Sequence, residues 1–213
     1  KKDLKKCIIN EKIDIKNDHI SIINLIEDSL DRLKKHATAQ FSGSARMAFI
    51  SKYILDCSIV DKHITKNDLM KFYNSLNTIV SEYTSDMNKL SINQINKKYG
   101  HLRSGTYSLL SPKFKISDKS KIYKKDVKNF FNKKDFLISL TALSKNYNLK
   151  CKPNELYSFL SESIKLREDL KFNFSKTISG TLDLIKFLEK KLNIDLKDME
   201  YLDIEIILTG KSY

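Results

Sequence analysis

The sequence predicts an all-α fold, and three observations carry this prediction. Apolar residues recur every three or four positions along most of the 213 residues, which is the spacing of one helix face. Only five glycines and two prolines interrupt the pattern, and no stretch is favoured as a strand. We therefore expect a single helical domain of about nine helices over 19–213, after an ill-defined lead-in at 1–18.

Four helices are predicted in the N-terminal half, and most begin at a residue suited to capping. Asp18, Thr65 and Ser91 have side-chain oxygens that can accept from the free backbone N–H groups of a first turn. Asp68 stands three residues after Thr65, as in an acidic variant of the capping box. The predicted helices cover 19–35, about 39–60, about 24 residues after Thr65, and 92–99.

The C-terminal half is predicted to be helical from residue 135 onward, first over 135–147. Pro153 suits the first position of the next helix, because its missing N–H is not needed there. That helix is expected to continue to about residue 191 across a weak point at Gly180, and Asn193 is expected to cap its end. Asp195 begins the final predicted helix. The Lys-rich stretch 113–134 gives the weakest pattern, with one short amphipathic helix.

The stretch 99–112 is predicted to be a loop between helices, because Gly100 and Gly105 interrupt the helical pattern. These glycines permit either a positive φ or a close approach to other backbone. Beside them stand an imidazole, a guanidinium, hydroxyls and a phenol, which suit a polar or anionic ligand. The alternative is an ordinary loop whose His101 and Arg103 are merely solvated.

The formal net charge of +13 suggests nucleic acid or an anionic surface as a partner. The lysines are spread along the chain, however, so a basic nucleic-acid-binding module is the less favoured alternative. Its most suitable position would be 113–134, where aromatic residues alternate with lysines. Arginine is scarce among the 39 basic residues, so each arginine is a candidate for a position that needs a planar, bidentate donor. The four arginines are Arg32, Arg46, Arg103 and Arg167.

The cysteines, the longest apolar runs and the start of the chain give further expectations about the kind of protein. Cys7, Cys57 and Cys151 are far apart and lack metal-binding spacing, so we expect no metal site and reduced thiols in the cytoplasm. No apolar run approaches about 18 residues, so we expect no membrane partner. The chain begins without Met or a targeting segment, and we expect a fragment of a longer protein.

Three blocks of the sequence together resemble one enzyme family. The first is His36-Ala37-Thr38-Ala39-Gln40-Phe41 with 45–50. The second is Tyr99-Gly100-His101-Leu102-Arg103-Ser104-Gly105-Thr106-Tyr107 with Ser111-Pro112, and the third is 167–176 with Ser179 and 202–204. They resemble the middle domain of proteins similar to phosphoenolpyruvate synthase and pyruvate phosphate dikinase, and within this family the L-glutamine kinases of bacterial capsule phosphoramidate synthesis. The similarity spans roughly 19–208, with Ala37 in place of the family's Gly and Ser104 in place of its usual Pro.

The resemblance implies one part of a three-part, ATP-dependent phosphotransferase. In such enzymes an ATP-grasp domain phosphorylates a histidine on a swivelling domain, which passes the phosphoryl group to an acceptor on the helical middle domain. This chain would be the acceptor-binding part, with the amide nitrogen of L-glutamine or another small molecule as acceptor. ATP and Mg²⁺ would belong to the full-length enzyme, and the ATP-grasp and phosphohistidine domains of the same polypeptide would be the partners.

The three blocks supply the candidate site residues. His101, His36 and Arg103 are the candidate catalytic residues, as acid–base groups or as donors to the phosphoryl group. The candidate substrate-binding residues carry a hydroxyl, a carboxylate or a cation: Thr38, Arg46, Thr106, Tyr107, Arg167, Glu168, Lys171, Ser175 and Ser179.

Each block contains one of the scarce arginines, so we expect 36–50, 99–112 and 167–179 to converge on one pocket that attracts anions. We find no Gly-rich phosphate-binding loop in the sequence, so the isolated chain is expected to lack kinase turnover. A scaffold whose blocks only dock neighbouring domains is the third possibility.

Overall fold

The computed structural model describes residues 19–118 and 131–209. Every regular element in these ranges is a helix, and the β-type pairing they contain is one isolated bridge between Arg103 and Lys113. The all-α prediction is therefore confirmed. The elements are α1 (His19–Arg32), a π-helical segment (Leu33–Thr38), α2 (Ala39–Val60), α3 (Lys66–Ser75), α4 (Ile79–Lys89), α5 (Ile92–Tyr99), α6 (Lys133–Asn146), α7 (Pro153–Leu192), α8 (Leu196–Tyr201) and α9 (Ile204–Thr209).

The first two predicted helices are one continuous helical segment, so the described residues form eight separate segments rather than about nine. The π-helical segment joins α1 to α2 without a break, and the Thr38 hydroxyl donates to the Leu33 carbonyl oxygen, five residues earlier (3.0 Å). Ala37 is buried here beside Leu33 and Phe174. No Gly or Pro interrupts 33–38, so nothing in this stretch forces the helix to end.

The predicted helix after Thr65 is divided into α3 and α4, which corrects its expected length of about 24 residues. Leu76 ends α3 in an extended conformation (ψ 126°) and is buried, so the apolar spacing continues although the helix does not. Ser81 lies in the first turn of α4 and restrains the start of this helix, because its hydroxyl oxygen accepts from the Thr78 N–H (2.9 Å). The capping box between Thr65 and Asp68 is confirmed, as is the Ser91 cap of α5.

The predicted C-terminal helices are also largely confirmed. Helix α7 begins at Pro153 and runs for 40 residues through Gly180, and Asn193 follows it with a positive φ of 53°. The single final helix is instead two short ones, α8 and α9, because Leu202 adopts an extended conformation (ψ 140°) between them. The Asp18 cap, Cys7 and most of the helix predicted within 113–134 lie outside the described residues.

The chain divides into two compact units. The described part of the first unit is 19–40, 90–118 and 171–209, and that of the second unit is 41–89 and 131–170. The prediction of one domain over 19–213 concerns the arrangement of the two units and stays a prediction. None of the described helices is both long enough and apolar enough to cross a membrane.

Each unit has its own apolar core. In the first unit, Ile22 and Ile26 of α1 pack with Leu109 of the 99–112 loop and with Leu188 of α7. In the second unit, Phe72 stacks on Phe136 with ring centroids 4.8 Å apart, and residues of α2, α6 and α7 complete the cluster. The apolar side chains that recur at helical spacing in the sequence thus pack together within each unit.

Candidate functional site

The 99–112 loop is fastened to α7 within the first unit by Arg103. Its Nε donates to Ser179 Oγ (3.1 Å), its Nη1 to the Ser111 carbonyl oxygen (2.7 Å) and its Nη2 to Asp183 Oδ1 (2.8 Å). The Arg103 side chain is only 1% exposed. A buried guanidinium whose three nitrogens all have acceptors stabilises the loop. Because these nitrogens already donate to protein acceptors, Arg103 would have to break hydrogen bonds to take the predicted catalytic role.

A second network fixes the middle of the loop. Ser111 Oγ accepts from the Gly105 N–H (2.9 Å) and is hydrogen-bonded to the Ser104 hydroxyl (2.9 Å). Glu200 of α8 accepts from the backbone N–H groups of Leu109 (2.5 Å) and Leu110 (3.2 Å). Ser104 thus restrains the loop through its hydrogen bond to Ser111.

The two loop glycines allow close packing, one of the two alternatives predicted for them. A Cβ at Gly100 would clash with the Asn96 carbonyl oxygen, and a Cβ at Gly105 would lie 3.1 Å from Ser108 Cβ. Gly100 has a negative φ of −62°, so its role is close approach and not a left-handed conformation.

His101 is held in a defined orientation beside α7. Its ring meets the Phe172 ring edge-on, with centroids 4.6 Å apart, and it hydrogen-bonds the backbone of Phe172 and Lys98. Among the described residues, the buried Nε2 atom has no hydrogen-bond partner. The backbone bonds therefore belong to Nδ1–H, which leaves Nε2 with its lone pair.

The surroundings of His101 keep its imidazole neutral. Burial, with the positive charges of Lys176 and Lys113, lowers the pKa of His101 from 6.5 to about 4, although the backbone hydrogen bonds oppose the shift. At neutral pH the ring is therefore uncharged, and the lone pair of Nε2 can accept a hydrogen bond or a proton.

His101 lines a cavity of about 200 Å³ in the first unit, which we name the His101 cavity. Helix α7 forms one side of this cavity, where Lys176, Ser179 and Asp183 follow one another at spacings of three and four residues. Lys113, which follows the loop directly, forms an ion pair with Asp183. The cavity therefore combines a neutral base, two cations, a carboxylate and hydroxyls. Its lining residues are His101, Lys113, Lys176, Thr177, Ser179, Gly180 and Asp183.

The remaining predicted residues of the first unit lie outside the lining of this cavity. His36 and Thr38 are exposed on the π-helical segment. Tyr107 is 68% exposed on the loop, and Thr106 beside it is half-buried. On α7, Lys171 is exposed, and the Ser175 hydroxyl donates to the Phe172 carbonyl oxygen (2.9 Å).

Arg46, Arg167 and Glu168 belong to the second unit. Arg167 Nη1 donates to Glu168 Oε1, and both side chains line a large cleft of about 820 Å³. Arg46 is exposed on α2 and is not among the lining residues of that cleft. The structure therefore brings His101, Arg103 and Ser179 together, whereas a pocket shared by all three arginines stays a prediction.

Sequence reasoning missed Lys176, Gly180 and Asp183, although the sequence contained a signal for them. Lys176 and Asp183 stand three residues before and four residues after Ser179, and Gly180 stands four residues after Lys176 and three before Asp183. Lys113 carried no comparable signal, because its approach to Asp183 depends on the path of the loop. No group of three metal-ligating side chains occurs among the residues with described positions.

No family model, no curated protein and no solved structure matches this chain.

Proposed function

We propose that this chain is the acceptor-binding part of an ATP-dependent phosphotransferase. A phosphohistidine on a separate swivelling domain would donate the phosphoryl group, and the acceptor would be a small molecule, with the amide nitrogen of L-glutamine as the first candidate. The single observation that carries the proposal is the unpartnered Nε2 of neutral His101 in a cavity with two lysines. The resemblance of the three sequence blocks to the dikinase-like family supports the same conclusion.

The His101 cavity suits a molecule the size of an amino acid. Its volume of about 200 Å³ is below the range typical of drug-sized ligands, which begins at roughly 300 Å³. Ser179 and Thr177 offer hydroxyl groups, and Lys176 offers a cation to a substrate carboxylate or to phosphoryl oxygens. Asp183 can attract an ammonium group, although it already pairs with Arg103 and Lys113.

In this proposal His101 accepts the proton that the acceptor loses. The P–N bond to the donor phosphohistidine breaks as a P–N bond to the acceptor nitrogen forms. The acceptor N–H proton moves to His101 Nε2, and the donor imidazole recovers its lone pair. Lys176 and Lys113 balance the negative charge of the transferred group, since phosphoryl transfer depends mainly on positioning and electrostatic stabilisation.

Binding of L-glutamine to the purified chain tests the proposal by isothermal titration calorimetry, with L-glutamate and L-asparagine as alternative acceptors. We expect saturable binding of L-glutamine that Lys176→Gln weakens about tenfold, equivalent to about 1.4 kcal/mol. Lys176 is exposed, so this substitution leaves the core intact. His101→Asn should abolish binding, whereas His63→Asn, at a histidine of the second unit, should not change it. Failure of all three amino acids to bind would contradict the proposal.

A further inference from the structure

The second unit contains a separate cleft of about 820 Å³, which we name the Arg167 cleft. Helices α2, α3, α4 and α7 form its walls. Its volume lies within the range of small-molecule sites, roughly 300–1,000 Å³. The lining residues are Ala48, Phe49, Lys52, Met70, Tyr73, Asn74, Leu76, Thr78, Val80, Ser81, Thr84, Ile164, Arg167 and Glu168.

Arg167 lines this cleft and, within the described part of the chain, has one unsatisfied donor. Its Nη1 pairs with Glu168, but its buried Nε–H has no acceptor among the residues that the structure describes. In a guanidinium, Nε–H and one N–H of Nη2 lie side by side on one edge, and this edge matches the two oxygens of a carboxylate. A buried donor without an acceptor is costly, so an acceptor from a ligand would stabilise this edge.

The walls of the cleft suit an apolar body. Phe49, Met70 and Val80 line it with exposed fractions of 64%, 57% and 66%. Large apolar side chains that stay exposed in a concave site lose contact with water when a ligand covers them, which favours binding.

The charges of the cleft favour a single negative charge on the ligand. Arg167, Lys52 and Glu168 are its charged lining residues, and Lys52 already pairs with Asp56 (2.5 Å). A dianionic phosphate would meet Glu168 with little additional positive charge to offset the repulsion. A carboxylate matches both the charge and the planar edge of Arg167.

We propose that the Arg167 cleft binds a small-molecule monocarboxylate with an apolar body. The Nε edge of Arg167 holds the carboxylate, and Phe49, Met70 and Val80 cover the apolar part. This site differs in residues and in ligand chemistry from the His101 cavity, and it does not depend on the function proposed for that cavity.

Three matched probes test the ligand class by titration calorimetry on the intact chain: 3-phenylpropionate, 3-phenylpropionamide and 3-phenylpropylamine. We expect the carboxylate to bind at least about tenfold more tightly than the amide and the amine. Arg167→Lys keeps the charge but loses the side-on edge, and it should remove this preference. Arg32→Lys, at an exposed residue of α1, is the matched control and should preserve it.

A second variant keeps the test independent of the folding of the Arg167 variant. Val80 is 66% exposed, so Val80→Asp should fold normally while placing a carboxylate at the cleft. It should weaken 3-phenylpropionate binding by about tenfold and affect the amide less. Equal affinities of acid and amide, no binding of the acid, or tighter binding of 2-phenylethyl phosphate than of the acid would each overturn the proposal.

Discussion

Arg103 in the first unit and Arg167 in the second each stand in one of the three sequence blocks, but their hydrogen bonding differs. The guanidinium of Arg103 is buried and has acceptors on all three nitrogens, and these acceptors belong to its own loop and to α7. Among the residues with described positions, Arg167 has the carboxylate of Glu168 as a partner, and its buried Nε has no acceptor. The comparison shows that a scarce arginine in the sequence indicates a position where several hydrogen bonds are made by one planar group. It does not show whether the acceptors belong to the protein itself or to a ligand.

The His101 cavity and the Arg167 cleft also differ, in size and in polarity. The His101 cavity is small and polar, and its central imidazole is kept neutral by burial and by nearby lysines. The Arg167 cleft is about four times larger and has mainly apolar walls. This difference supports the proposal of ligands of different chemistry, a small polar acceptor for the cavity and a carboxylate with an apolar body for the cleft.

The largest effect that separates the two arginines is expected in stability. Arg103→Lys keeps one charge but leaves the Ser111 carbonyl or Ser179 without its donor, and it should lower the free energy of unfolding by about 3 kcal/mol. Arg167→Lys can still pair with Glu168 at a partly exposed position, and it should cost less than about 1 kcal/mol. Urea denaturation of both variants measures the difference. Equal losses of unfolding free energy in the two variants would contradict the different hydrogen bonding described for the two guanidinium groups.

A pair of glycines provides a smaller contrast between the two units. Gly100→Ala places a Cβ against the Asn96 carbonyl oxygen and should cost about 1–3 kcal/mol. Gly43 lies in α2 with nothing within 4 Å of an added Cβ, so Gly43→Ala should stabilise the chain by about 0.5–1 kcal/mol. Thermal unfolding monitored by circular dichroism gives both shifts. A stabilising Gly100→Ala would contradict the close approach described for the loop.

Helical periodicity and capping residues were sufficient to predict the fold class and most helix starts. Thr65, Ser91 and Pro153 act locally, so their effect can be predicted from neighbouring residues alone. The break at Leu76 and the π-helical segment could not be predicted in this way, because the apolar spacing continues through both. Tertiary packing decides these points.

The candidate site was predictable only in part for the same reason. The grouping of His101 and Arg103 in one loop is visible in the sequence, and Ser179 was included through its block. The engagement of Arg103 by Asp183 depends on a contact between residues 80 positions apart. Long-range pairing of this kind leaves no periodic signal, so the sequence could not reveal that Arg103 is fully engaged.

The pH dependence of stability follows from the lowered pKa of His101. The pKa falls from 6.5 to about 4 on folding, so between these values the unfolded chain binds more protons than the folded one. His101 therefore contributes stability above about pH 6.5 that is lost as the pH falls to about 4. His101→Asn should remove this part of the pH dependence in urea denaturation. His63→Asn serves as the control, and an unchanged profile in the His101 variant would contradict the burial effect.

The central claim is that His101 is a neutral imidazole with an available Nε2 at the acceptor site, and nuclear magnetic resonance of the ¹⁵N-labelled ring tests it most directly. The account predicts the Nδ1–H tautomer at pH 7, a titration near pH 4, and a change in the Nε2 resonance when L-glutamine is added. A titration near pH 6.5 together with an Nε2 resonance that L-glutamine does not alter would contradict it.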